Sequence, residues 1–260
     1  MTVSTPSLLL DLIGTHGGEV TVSGLCRAGE VFGVGQTTVR VTLTRLVEEG
    51  KIRRVRRGVY APPEDPSELS KRVAAWRRHG QELVAWRRDW VVVHDGDVLR
   101  SDKAVWRTHQ RALQLSGFRS LGKGLQIRPN NRPNGLDGAT RQLIGLGLAP
   151  AASVFLAAPF AELLHARASQ LWDPVGIADE LDARRVDLSR SAAAVGMLTR
   201  DDAVRETLLL GRDTISLILQ DPVLPEQLMP GRARVELIRA MSEYQFMAVP
   251  LWRSWLAEDS

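Results

Sequence analysis

The sequence predicts an α+β multidomain protein with three parts. Residues 1–62 read as helices followed by a hairpin, 63–165 as alternating strands and helices, and 166–260 as helices. Three observations predict this. A helical stretch rich in threonine and arginine runs straight into a basic hairpin pattern. Strand-like and helix-like runs then alternate through the middle. The last third carries long helical periodicity interrupted by prolines.

Ser7 to Ile13 is a short apolar helix, with Ser4 or Thr5 as its cap and Gly17-Gly18 as its stop. Val20-Thr21-Val22 alternates like a brief strand. Ser23 is placed to cap a second helix through Leu25, Ala28 and Val31. Gly33 and Gly35 make a tight turn. A third helix follows over residues 36–49, and Gly50 ends it.

On the third helix, Val39, Leu43 and Leu46 share the face to be buried. Thr37, Val41, Thr44 and Glu48 lie opposite, flanked by Thr38 and Arg45. Threonine is a poor surface helix former, so several on one face need a reason beyond helix stability. Threonine can hydrogen-bond phosphate or offer a methyl to thymine, and arginine can grip guanine. Next comes Lys51 to Tyr60, in which five of ten residues are basic. Ile52, Val55, Val59 and Tyr60 give it strand character, and Arg57-Gly58 sits where a hairpin turns. A basic hairpin directly after such a helix is the pattern of a winged helix-turn-helix. Its arginines Arg53, Arg54, Arg56 and Arg57 would neutralise phosphates, which supplies affinity without sequence choice.

The charge distribution agrees. Residues 1–134 hold 22 Lys+Arg against 13 Asp+Glu, and residues 135–260 hold 12 against 17, so balances of +9 and −5 give the chain's +4. A basic front half is expected of a polyanion-binding protein. The single cysteine, Cys26, cannot form an internal disulfide and sits on an apolar helix face, which points to a reducing compartment. Met1 to Leu10 has no basic n-region, and no apolar run approaches the roughly 20 residues that span a bilayer. Cytoplasmic localisation and no membrane partner are the expectation.

After the linker Pro62-Pro63-Glu64-Asp65-Pro66, a helix is expected over 68–78. Leu83 to Trp86 reads as a strand or a helix end, and Trp90 to His94 as a buried strand. Asp102 to Leu115 reads as a helix with Val105, Leu113 and Leu115 as its apolar positions. Gly117-Phe118 ends it, and Gly124 to Pro129 forms a second strand. A helix over 139–146 and a strand over 151–157 complete the middle. In the last third, Thr199-Arg200-Asp201-Asp202 looks like a capping box. Asp221 to Pro230 is a proline-punctuated connection, and Pro250 is expected to break or kink the final helix.

Three motifs, in order along the chain, resemble the PaaX-like repressors, regulators of phenylacetic acid degradation. In the third helix Arg40, Leu43, Arg45 and Leu46 match the family's arginine, spacer, Ala-Leu-Ser-Arg-Leu pattern, with Thr42 and Thr44 replacing alanine and serine. In the middle Trp90, Gly117-Phe118 and Arg128-Pro129 match. Arg119 stands where a second glycine is usual, and Leu125-Gln126 lacks the usual tryptophan. In the last third Asp221-Pro222, Leu224-Pro225, Leu228 and Pro230 match, but Gly231-Arg232 stands where a Trp-Pro-Gly step is usual. The resemblance implies a ferredoxin-like central domain and a homodimer on double-stranded operator DNA. It also implies release by an aryl-CoA thioester such as phenylacetyl-CoA. Arg107, Arg111 and Arg128, with Trp90 and Trp106 near in sequence, are candidates for such an anionic, part-aromatic effector. The DNA-binding candidates are Thr37, Thr38, Arg40, Val41, Thr44, Arg45, Arg53, Arg54, Arg56 and Arg57.

Two other classes compete. His94, Asp95 and Asp97 cluster at a strand end, as in a metal-dependent nuclease, although Asp-Gly is by itself a turn signal. A DNA-binding protein without a regulatory role is the other. No P-loop, dinucleotide fingerprint or spaced metal-ligand pattern is present. The expectation is therefore a non-enzyme with no catalytic residues, no cofactor and no metal.

Overall fold

The computed structural model describes residues 3–257. Residues 1–2 and 258–260, which the first and last expected domains include, lie outside it. The chain packs as two compact units: Met1–Pro66 with Val186–Thr214 and Arg239–Ser260, and Ser67–Arg185 with Ile215–Ile238. The helices of 166–260, expected to form a region of their own, are thus divided between the two units.

In the first unit, α1 (Thr5–His16) is capped by Ser4, whose hydroxyl accepts from the Ser7 amide, and closed by left-handed Gly17. β1 is only Val20–Thr21. Thr21, not Ser23, caps α2 (Val22–Val31): its Oγ1 accepts the Gly24 N–H at 3.2 Å. Thr21 ends the strand with extended backbone, which already meets the geometry of a cap. α3 is Gln36–Glu48. Gly29 lets α2 and α3 approach, because a Cβ there would stand 2.7 Å from Val39 Cγ2.

β2 (Arg53–Arg56) and β3 (Val59–Ala61) make the hairpin, with Gly58 at φ 74° in its turn. The antiparallel sheet has order β1-β3-β2, with Val20 opposite Tyr60 and Arg54 also opposite Tyr60. Leu8, Leu12, Leu25, Val39, Leu43 and Leu46 share one core with Val204, Leu208, Trp252 and Trp255. The last four come from α9 (Arg200–Gln220) and α10 (Arg232–Ala257). Thr199 caps α9, accepting the Asp202 N–H at 3.2 Å and donating to its carboxylate at 2.6 Å. Pro250 does not end α10. Beyond it Trp252 Nε1 donates to Thr207 Oγ1 at 3.0 Å and Trp255 Nε1 to Asp201 Oδ1 at 2.8 Å, so two buried indoles hold the helix past the proline.

The second unit begins with α4 (Glu68–Ala74). It continues as β4 (Trp90–His94), α5 (Lys103–Leu115), β5 (Arg119–Gly122), β6 (Leu125–Pro129), α6 (Gly135–Leu146) and β7 (Ser153–Ala157). The four strands form an antiparallel sheet of order β5-β6-β4-β7. α7 (Glu162–Ser169) and α8 (Pro174–Ala194) follow.

Three readings need correction here. Leu83 to Trp86 is neither strand nor helix; the Val84 amide is bonded to the Asn131 carbonyl instead. β5 was not expected, because an edge strand reading Arg-Ser-Leu-Gly has little β character. Val105 is exposed, and α5 buries His109, Ala112 and Leu113 instead. His109 can be buried because both ring nitrogens are satisfied: Nδ1 accepts the Ala149 N–H at 3.2 Å and Nε2 faces Asp95 Oδ2 at 3.4 Å.

Trp90 is fully buried in an aromatic cluster, its ring 5.6 Å from Phe160, 6.2 Å from Trp172 and 5.1 Å from Trp86. The Gly117-Phe118 and Asp221-Pro222 motifs meet in this unit. A Cβ on Gly117 would lie 2.9 Å from the Pro222 carbonyl oxygen, and Gly117 adopts φ 82°. Val223 takes a positive φ of 55°, held by its N–H donating to Asp221 Oδ1 at 2.9 Å.

Candidate nucleic-acid interface

α3 presents one exposed face. Val39, Thr42, Leu43 and Leu46 point into the core, whereas Thr37, Thr38, Arg40, Val41, Thr44 and Arg45 are exposed. Val41 is 64% exposed, an apolar side chain in the middle of a polar surface. The three-residue spacing that buries Leu43 and Leu46 also turns Val41 and Thr44 outward.

The threonines divide by role. Thr42, on the buried side, donates to the Thr38 carbonyl at 2.7 Å, and Thr44 donates to the Arg40 carbonyl at 3.2 Å. With its proton turned back to the helix, the Thr44 hydroxyl faces solvent as an acceptor and its methyl as an apolar contact. Arg45 Nε lies 3.4 Å from Glu49 Oε1, and Lys51 Nζ 2.6 Å from Glu49 Oε2. The Glu49 carboxyl is held below the ordinary range first by the hydrogen bond from Lys51 and then by the charges of Lys51 and Arg45. Exposed ion pairs of this kind contribute about 0–1 kcal/mol, so Arg45 can leave Glu49 for a stronger acceptor.

The hairpin adds a second basic element. Arg53, Arg54, Arg56 and Arg57 are all exposed. Among the described residues the pairs that restrain them are loose: Arg56 Nη2 lies 3.6 Å from Glu19 and Arg53 Nε 4.0 Å from Glu64. Alternation on β2 buries little of this strand, because Val55 alone is half-buried between the arginines. The inner strand β3 does the packing, through Val59 and Ala61.

The effector candidates do not converge. Arg107 and Arg111 are exposed on α5, and Arg107 Nε donates to the Lys103 carbonyl of its own helix at 3.1 Å. Arg128 is buried at 2% exposure, its guanidinium 5.6 Å from the centre of the Phe118 ring. Trp106 is half-buried beside His109. Of the three residues at the end of β4, Asp95 is buried and bonded to His109 and to Gln126 Nε2 at 3.2 Å, whereas His94 and Asp97 face solvent with 4.0 Å between them. Among the described residues no helix is long and apolar enough to cross a membrane, and no group of three or more His, Cys, Asp or Glu is arranged to hold a metal ion.

Sequence reasoning missed a group of arginines in the second unit: Arg128 and Arg234 are buried, Arg72 and Arg132 half-buried, and Asp221 pairs with Arg234 and acts on Arg132. Nothing in their spacing, from residue 72 to 234, marks them as neighbours.

Residues 3–62 match the family described as PaaX-like protein. No curated protein matches the chain. Among solved structures, the uncharacterized protein Rv0674 from Mycobacterium tuberculosis is similar in fold. It is 21% identical, with a TM-score of 0.60, over 95% of this chain and 96% of that one. The PaaX-like match takes in α1 to β3, the segment that carries both the exposed α3 face and the arginine hairpin.

Proposed function

We propose that this protein is a PaaX-like transcriptional repressor that binds double-stranded operator DNA through α3 and the β2–β3 hairpin. One observation carries the reading. The segment matching the PaaX-like family exposes Thr37, Thr38, Arg40, Val41, Thr44 and Arg45 on one helix face, with four unburied arginines on the adjoining hairpin. We read α2 and α3 as a helix-turn-helix and β2–β3 as its wing. α3 would enter the major groove, where threonine and arginine read base edges, and the wing arginines would bind phosphates. The sheet order β5-β6-β4-β7, with α5 and α6 as crossovers, supports reading the second unit as ferredoxin-like.

Repression released by an aryl-CoA thioester, and a homodimer with recognition helices about 34–36 Å apart, follow from the resemblance and from the geometry of half-sites. The burial of Asp95 against His109 and Gln126 supports a regulator over a nuclease, because a metal-binding carboxylate must be free to reach the ion.

Fluorescence anisotropy tests this. The DNA is taken from upstream of the protein's own gene, against scrambled DNA at fixed salt, with and without phenylacetyl-CoA. Selective binding released by the thioester supports the whole reading. Selective binding without release keeps the repressor and discards this effector. Equal binding to both DNAs favours an architectural protein, and magnesium-dependent cutting that Asp95→Ala abolishes favours the nuclease.

A further inference from the structure

The second unit brings together four arginines, Arg128 and Arg234 buried and Arg72 and Arg132 half-buried. Arg234 pairs with Asp221, in a contact enclosed on all sides. Arg132 Nη2 donates to the Pro222 carbonyl at 3.0 Å, and Arg72 Nη2 donates to the Leu115 carbonyl at 2.9 Å. Arg128 holds its guanidinium 5.6 Å from the centre of the Phe118 ring. Each guanidinium keeps a buried nitrogen without a partner: Arg72 Nη1, Arg128 Nε, Arg132 Nε and Arg234 Nη2. Asp221 pairs with Arg234 and acts on Arg132, Glu68 acts on Arg72, and Glu226 Oε1 stands beside Arg234 Nη1 at Gly231. The four arginines therefore outnumber the three carboxylates beside them, and unanswered buried N–H groups cost free energy.

Two of these arginines open on a cleft of about 410 Å³. Arg72 and Arg132 line it with Arg78, His79, Gln142 and an exposed Glu82. Gly80 forms part of its wall at φ 74°, and a Cβ there would stand 2.8 Å from Arg234 Cδ, so a larger residue would push into the cluster. Burial holds the guanidiniums of Arg128 and Arg132 below their ordinary range, and repulsion from neighbouring arginines adds to it. His79 is pushed down to about 4, first by burial and then by the charge of Arg132, so at neutral pH it adds no cation. Its Nε2 lies 3.1 Å from the Asp221 carbonyl and so carries the proton.

We propose that this cleft is an oxyanion site, in which Arg72 and Arg132, backed by Arg128 and with Arg78 at the rim, bind the phosphate or carboxylate group of a small molecule. The Arg72 and Arg132 side chains that line the cleft, with Arg78 beside them, supply the donors such a group needs, and charge-assisted bonds to arginine are among the strongest a protein makes. The volume exceeds that of a bare phosphate, which leaves room for an organic remainder along the apolar wall of Leu219 and Val223. This inference does not rest on the DNA-binding reading.

Isothermal titration calorimetry of the full chain tests it, with sodium phosphate and sodium acetate as probes and chloride balancing ionic strength. Saturable one-site heat from phosphate identifies a phosphate-bearing ligand, and from acetate alone a carboxylate. Arg132→Gln should weaken binding about tenfold, the loss of one charge-assisted bond. Arg78→Ala lies on the exposed rim and should weaken it about threefold with unchanged circular dichroism, so the test survives if Arg132→Gln misfolds. No saturable heat from either anion, or heats that Arg78→Ala and Arg132→Gln both leave unchanged, would overturn the site.

Discussion

The two arginine clusters of this protein are opposites. On the hairpin Arg53, Arg54, Arg56 and Arg57 stand in water, with ion pairs of 3.6 to 4.0 Å or none among the described residues. In the second unit Arg128 and Arg234 are enclosed, Arg72 and Arg132 are half-buried, and the four lie against backbone carbonyls, an aromatic ring and one aspartate. The difference teaches what arginine does in each setting. An exposed guanidinium contributes little to folding and is available to a polyanion, with a strength that salt controls. An enclosed one has lost its water, so each donor left over must be answered or carried as a cost.

The sharpest way to break this comparison is to remove the central carboxylate. Asp221→Asn takes away the carboxylate that pairs with Arg234 and acts on Arg132. Urea unfolding should register a loss of about 3–5 kcal/mol, the cost of leaving a buried charge alone. A loss below about 1 kcal/mol would mean that water already answers these arginines.

Leu43→Ala empties the fully buried core side of α3. It should cost about 2–5 kcal/mol in the same assay. DNA affinity of the molecules that remain folded should be unaltered, which separates the packed face of α3 from the exposed one.

Asp11 offers a smaller effect. Burial pushes its carboxyl up to about 6, against the opposing pull of Arg212, whose Nε is 3.4 Å away. A carboxyl raised in the folded state favours folding below its unfolded value near 3.8, and that contribution is lost as pH rises through about 6. Relative to Asp11→Asn, the native protein should therefore lose stability between pH 4 and pH 7.5. The change should be about 1 kcal/mol, discounted because a third of the side chain is exposed. A pH profile identical in both proteins would contradict the assignment.

The smallest effect belongs to the hairpin. Arg56→Ala should leave stability unaltered and flatten the slope of log affinity against log salt by about one, equally on any DNA sequence. An unchanged slope would remove Arg56 from the phosphate contacts.

How far all this was legible depends on the range of the interactions. The exposed face of α3 and the hairpin were readable because helix periodicity and strand alternation act between residues a few positions apart: Val39, Leu43 and Leu46 set one face, and Arg57-Gly58 set the turn. The helix from Asp102 to Leu115 was readable for the same reason, and α5 covers Lys103–Leu115. Thr21 in place of Ser23 was not, since both are cap formers and the end of β1 chose between them. His109 reads as a polar interruption until Ala149, 40 positions away, is seen to answer it. The arginine cluster was invisible, because it is assembled from segments up to 162 positions apart and no local pattern carries that information. Arg128 was singled out as a ligand-binding candidate beside Arg107 and Arg111, yet its burial puts it among Arg72 and Arg132, while the other two stay on an open helix face.

The measurement that bears most directly on the DNA-binding account compares wild type with Arg45→Ala by fluorescence anisotropy, on DNA from upstream of the gene and on scrambled DNA at one salt concentration. The account predicts that the substitution costs about 1–3 kcal/mol on the upstream DNA and little on the scrambled one, so that selectivity collapses. Selectivity that survives Arg45→Ala intact would contradict α3 as the element that reads DNA.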